Sequence, residues 1–148
     1  MNDRYLFRAK RIDNGEWVEG YLVETRHNTY HDGYRIIDKN GINYDELDYY
    51  EPSFISYVID KTTLCQCTGS KDKNGKLIWE NDIVAYWDAY NTENGQAEMD
   101  CIGKVVWDDE TISFQVTNRL SAESYEVLDE CSVIGNIFDN PELLESEG

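Results

Sequence analysis

The chain has 148 residues, 41% of them hydrophobic, with 13 Lys and Arg against 30 Asp and Glu, a net charge of −17. The length suits one ordinary domain or two small β units, and 4 Trp, 11 Tyr and 4 Phe supply a packed core rather than a disordered chain. The charge disfavours direct binding to nucleic acid or to an anionic membrane, both of which attract Lys and Arg, and no apolar run approaches the roughly 20 residues that cross a bilayer.

The charge is uneven. Residues 1–70 carry 8 basic and 12 acidic residues, net −4, whereas residues 71–148 carry 5 and 18, net −13. The first residues, "MNDRYLFRAKRIDNG", hold neither a continuous apolar segment nor a small-residue cleavage site, so no signal peptide is expected. A cytoplasmic location follows as an expectation, with the four cysteines as reduced thiols.

In chain order the texture is β. "YLFRAKRI" (5–12) and "EWVEGYLVE" (16–24) flank Asn14-Gly15, which predicts a hairpin through a type I′ turn with positive φ at both residues. "YRIIDKNGINY" (34–44) predicts the same device at Asn40-Gly41, and "DKNGKLIWE" (72–80) predicts it again at Asn74-Gly75. The shared "DKNG" has unlike flanks, so it reads as convergent turn chemistry rather than an internal repeat. "DIVAYW" (82–87) predicts a strand with Ile83, Ala85 and Trp87 on one face. Residues 88–100 are polar and turn-rich, which suggests an exposed loop or a loose hairpin tip. "CIGKVVWD" (101–108) and "TISFQVT" (111–117) are strand candidates. The second places Ile112, Phe114 and Val116 on one face. Residues 119–130 fit helix or strand. "SVIGNIF" (132–138) reads as a strand. Asn140 as N-cap with Pro141 behind it predicts a short C-terminal helix.

The predicted fold class is mainly β: two packed small β units, near 1–60 and 61–148, the second like an SH3-like barrel, with that short helix at the end. The joint, "VIDKTTLCQCTG", lacks linker composition, and one continuous domain remains the alternative.

Chemistry-bearing patterns are sparse. Cys65 and Cys67 are spaced C-x-C, with Cys101 and Cys131 alone, which is not the paired spacing of a structural zinc site. Buried thiols explain them better. His27 and His31 lie in a polar stretch without H-E-x-x-H. No G-x-S-x-G, phosphate-binding loop or dinucleotide fingerprint occurs. As a calcium loop, "DKNGK" fails, because Lys76, Leu77 and Ile83 fall where ligands or the central glycine belong. No catalytic residue, metal ligand or cofactor is therefore assigned.

"TTLCQCTGSKDKNGKLIWENDIVAYW" (62–87) and "VIGNIFDNPELL" (133–144) resemble the YopX family of bacteriophage and prophage proteins, and "FRAKRIDNGEWVEGYLV" (7–23) is family-like too. The signature residues are Thr68, Gly69, Asp72, Asn74, Gly75, Glu80, Asp82, Gly135 and Asn136. The family's usual glycine before "DIV" is Asn81, a residue that also tolerates the left-handed region. The resemblance implies a mainly β fold, with the "DIV" strand entering a small barrel. It implies a phage-encoded accessory protein of the bacterial cytoplasm and brings no activity or cofactor with it. Turn and strand chemistry alone account for the signature, with Asp82 capping amides at the bend. The competing reading has Glu80 and Asp82 rimming a small pocket. The functional expectation is a non-catalytic module that binds a host or phage protein, or a second copy of itself. The alternatives are an acidic DNA mimic and a carboxylate-dependent hydrolase.

Overall fold

The computed structural model describes residues 3–25, 33–43, 53–117, 122–123 and 130–145. The chain forms two compact units, Met1–Cys67 and Thr68–Gly148. Ten strands and one short α-helix, α1 (Glu142–Glu145), are seen among the described residues, with a 3-10 turn at Asp3–Tyr5. The mainly β fold with a short C-terminal helix agrees with the sequence reading. No helix among the described residues is long and apolar enough to cross a membrane.

The first unit is built from β1 (Phe7–Arg11), β2 (Trp17–Thr25), β3 (Gly33–Asn43) and most of β4 (Ser53–Lys71). The strands pair antiparallel in that order, and β1 also pairs with β4, so the pairing closes into a ring. Closure removes the exposed strand edges that invite aggregation. Ala9, Ile36 and Ile59 form its buried centre, with Phe7, Val18, Leu22, Tyr34 and Leu64 packed around them. The β1–β4 register jumps between Arg8↔Cys65 and Lys10↔Asp60. Thr63 bridges the gap: its hydroxyl accepts the Lys10 amide at 2.8 Å and donates to the Asp60 carbonyl at 2.7 Å.

Two turn expectations change here. The first hairpin forms, but its loop is longer than a type I′ turn. Gly15 has φ 71, Asn14 stays at negative φ, and the Gly15 amide donates to the Arg11 carbonyl. Asn40-Gly41 is not a hairpin turn at all. The strand β3 runs through it, and the register with β4 slips between Ile37↔Ser56 and Ile42↔Phe54, so residues 38–41 form a bulge.

The second unit carries the end of β4, then β5 (Leu77–Trp79), β6 (Asp82–Thr92), β7 (Gly95–Asp108), β8 (Ser113–Thr117), β9 (Ala122–Glu123) and β10 (Ser132–Asn136). The strand β5 pairs next to β4, and among the described residues the others form a sheet in the order β10-β6-β7-β8-β9 with no closing pair. The ring closure that a barrel needs is thus seen in the first unit. The second core gathers Ile78, Val84, Tyr86, Cys101, Val105, Val116 and Cys131, with Phe114 and Val133 against them.

Of the two readings for residues 88–100, the hairpin holds: β6 and β7 pair down to Thr92↔Gly95 across a two-residue turn, with Gly95 at φ 118. Two more local readings are corrected. Ile112 does not join Phe114 and Val116. It is 74% exposed in the β7–β8 turn at φ 54. A β-branched residue rarely adopts that conformation, since Cβ crowds the following carbonyl. Replacing Ile112 with Asn removes no packing, so it should raise the unfolding free energy by about 0.5–1 kcal/mol. An unchanged or lower chemical-denaturation midpoint would refute that. Lastly, Asn140 does not cap α1 with its side chain, which turns back to the Asn136 amide at 3.2 Å. Most of residues 119–130, and His27 and His31, lie outside the described residues.

Candidate functional site

The signature residues converge on the backbone of the second unit. At the β4–β5 turn Gly75 has φ 82 but Asn74 stays at negative φ, so the chain turns here without the expected type I′ geometry, and the Gly75 amide donates to the Asp72 carbonyl. The Asp72 side chain, 6% exposed, accepts three amides at 2.9 Å each: Asn74 and Lys76 on Oδ1, and Val133 of β10 on Oδ2. Burial pushes the Asp72 carboxyl up, but the Val133, Lys76 and Asn74 amides and the Lys76 charge outweigh it and hold it below its ordinary value. Nearby, Lys73 N donates to the Cys131 carbonyl, and Asn74 Nδ2 donates to Ser132 Oγ at 3.2 Å. The turn is therefore anchored to a strand some sixty residues later (|i−j| of 61). Thr68 Oγ1 donates to the Ile78 carbonyl at 2.8 Å and accepts the Ser70 amide, beside Gly69 at φ 83.

The β5–β6 bend is equally committed. Asn81 sits at φ 69, donates its amide to the Val105 carbonyl and accepts the Ile137 amide. Asp82 is 1% exposed, and its Oδ2 accepts the Trp79 amide at 2.8 Å. Glu80 is half-buried on the same turn. In the last motif, Asn136 Oδ1 accepts the Phe138 and Asp139 amides at 3.0 and 2.9 Å. A Cβ on Gly135 would lie 2.5 Å from Asn140 Oδ1, so only glycine leaves room for the Asn140–Asn136 hydrogen bond. Asp72 and Asp82 thus face amides rather than solvent. A buried carboxylate used this way holds a turn and has no access to a substrate.

An accessible concave feature lies elsewhere in the second unit. A cleft of about 320 Å³ opens on β6, β7 and β10, lined by Lys73, Ala85, Trp87, Asp100, Ile102, Glu130 and Ser132, with Tyr86 and Cys101 also lining it. The register places its centre: Trp87 lies opposite Asp100, and Ala85 lies opposite both Ile102 and Ser132, so these residues share one face. Trp87 is 55% exposed. Neither Glu80 nor Asp82 lines this cleft. The sequence puts Trp87 on one face with Ile83 and Ala85, as the register confirms, but leaves its burial undecided. Ile83 is buried, but exposure grows along the strand to Trp87. Alternation gives the face of a residue, not what covers it.

Cys65 and Cys67 are 1% and 0% exposed on β4, and Cys101 and Cys131 lie in the second core. All four are free thiols. Cys65 Sγ donates to the Thr63 carbonyl at 3.2 Å. Among the described residues no three His, Cys, Asp or Glu side chains gather into a metal-binding group.

Fold and site together define a mainly β protein whose signature residues build turns and which carries an accessible cleft that is aromatic with acidic neighbours. A family model described as YopX protein matches residues 6–145, nearly the whole chain, and the chain belongs to the YopX family. The chain is similar to the crystal structure of protein EF1440 from Enterococcus faecalis, with 28% identity and a TM-score of 0.56 over 93% of this chain and 96% of that one. No curated protein matches it.

Proposed function

We propose that this is a phage- or prophage-encoded accessory protein that works in the bacterial cytoplasm by binding a host or phage protein, without catalysing a reaction. The observation that carries this reading is Trp87, 55% exposed within a cleft that also offers half-buried Ala85 and Ile102. A large aromatic among apolar neighbours, bordered by charge, is how binding hot spots are composed. A second copy of the chain is one partner such a surface can take. The signature carboxylates argue against the hydrolase alternative, since Asp72 and Asp82 are buried and bonded to backbone amides.

The test compares tagged wild-type protein with Trp87→Ala in retaining proteins from a lysate of a bacterium carrying the prophage. Truncating an exposed Trp leaves the fold intact, so both should show the same thermal midpoint. The wild type should hold a partner that the variant loses by about tenfold or more, the scale of a hot-spot residue. Equal retention by both, or no retained protein at low salt, overturns the reading.

The net charge of −13 over residues 71–148 favours a second reading, a DNA mimic that occupies a basic nucleic-acid-binding groove. It predicts a retained partner that itself binds DNA and is released by added duplex DNA. A partner indifferent to DNA counts against it.

A further inference from the structure

We infer that the cleft on β6, β7 and β10 recognises an arginine side chain of the partner. The inference rests on the binding role proposed above and adds the chemistry of what is bound. The tryptophans supply the first argument. Trp79 is buried at 2% exposure, Trp107 packs edge-on against Phe114 with ring centroids 5.0 Å apart, and Trp17 is covered by cations. Arg8 lies 4.8 Å and Lys10 5.4 Å from the Trp17 ring centroid, so this chain already seats cations on an indole face. Trp87 has no ring or cation partner among the described residues, and more than half of its surface is open.

Charge supplies the second argument. Asp100 stands directly across the ladder from Trp87, and Glu130 lines the same cleft. Among the described residues that line it, Lys73 is the one cation against two carboxylates, and it forms no ion pair with either. The described lining therefore carries a net negative charge beside an open indole. Ala85 and Ile102, both half-buried, offer apolar surface to the aliphatic stem of a long cationic side chain. Arginine suits this set better than lysine. Its guanidinium is planar and weakly hydrated, stacks on an indole, and forks onto a carboxylate. The acidic excess of residues 71–148 would steer such a group inward.

The test must separate this cleft from diffuse attraction to an acidic protein. Two end-capped peptides of Gly and Ser serve as probes, one with a single central arginine and one with citrulline, its neutral isostere, in that place. Each is titrated into the full chain while the Trp87 indole N–H is followed by NMR, its signal identified with Trp87→Phe. The arginine peptide should shift that signal, and the citrulline peptide should bind about tenfold more weakly. The double variant Asp100→Asn/Glu130→Gln should weaken arginine binding about fivefold or more. Glu142→Gln/Glu145→Gln, an equal charge change on α1, should leave it unaltered. Equal weakening by both double variants, or equal binding of both peptides, overturns the inference. The two proposals fail separately: if Asp100→Asn/Glu130→Gln still retains a Trp87-dependent partner, the binding role stands and the arginine fails. If neither that variant nor Trp87→Ala alters retention, both fail.

Discussion

Asp72→Ala should lower the unfolding free energy of the second unit by about 3–4 kcal/mol, read from chemical denaturation followed by tryptophan fluorescence. The carboxylate is almost fully buried and accepts the Asn74, Lys76 and Val133 amides. A hydrogen bond to a charged acceptor contributes about 1.5–3 kcal/mol, and alanine leaves all three donors without that acceptor. Water can reach the exposed turn amides of Asn74 and Lys76, so the three losses do not simply add. Asp72→Asn keeps one carbonyl oxygen and should cost about half as much. The same geometry sets a pH dependence. Burial would raise this carboxyl, but the amides and Lys76 hold it below its ordinary value of 3.8. A depressed folded value means the stabilisation is fully present above that ordinary value and is lost as pH falls through the folded one. Wild-type protein should therefore lose stability below about pH 4 more steeply than Asp72→Asn does. Parallel acid titrations of the two, or a loss below about 1 kcal/mol for the alanine variant, would show that Asp72 does not hold the turn to β10.

Gly20→Ala should cost about 3 kcal/mol or more in the first unit. Gly20 is buried in the β1–β2–β3 ladder, opposite Phe7 on one side and Asp38 on the other. An added Cβ would land on the Ile37 carbonyl, with Ile37 C at 2.8 Å and Ile36 Cγ2 at 3.0 Å. The obstacle is backbone, so no rotamer relieves it, and Ile37 is fixed by pairing with both Tyr21 and Ser56. Overpacking that side chains can absorb costs about 1–3 kcal/mol, and a clash with a paired strand exceeds that range. Gly15→Ala is the control. Its Cβ meets open space, and only the φ of 71 is unfavourable, for about 1 kcal/mol. Equal denaturation midpoints for the two variants would place the strain of Gly20→Ala elsewhere than at β3.

Much of the element order was legible because each strand carries its own local signal. Alternating Phe114 and Val116, the aliphatic start of β6 and the Asn74-Gly75 turn all rest on contacts within a few residues. The C-terminal helix also formed where Pro141 allows a first turn, although Asn140 turned its side chain elsewhere. The candidate cleft was not legible. Trp87, Asp100 and Glu130 come together only through the β6–β7 register and the return of the chain at β10.

The two copies of "DKNG" mark the boundary between what sequence and tertiary structure each decide. Both make the same local bond: Asp38 Oδ1 accepts the Asn40 amide at 2.8 Å, and Asp72 Oδ1 accepts the Asn74 amide at 2.9 Å. That much belongs to the sequence alone, since an Asp side chain reaches an amide two residues on wherever it stands. The glycines then part ways. Gly75 takes φ 82 and turns the chain, while Gly41 does not adopt positive φ and stays within β3. At Gly41 a Cβ would meet Asp38 Cβ at 2.9 Å and Ile55 Cβ at 3.0 Å, so the paired strand β4 presses on the bulge. At Asp72 the deciding partner is the Val133 amide on β10. By itself the sequence determined a β-rich, acidic chain punctuated by Asn-Gly and Asp turns. Whether a given turn signal reverses the chain, which carboxylates are taken up by amides, and which tryptophan faces solvent were decided by pairing between distant strands. The physical reason is that a buried acceptor must find its donors, and for Asp72 one of those donors comes from β10, late in the chain.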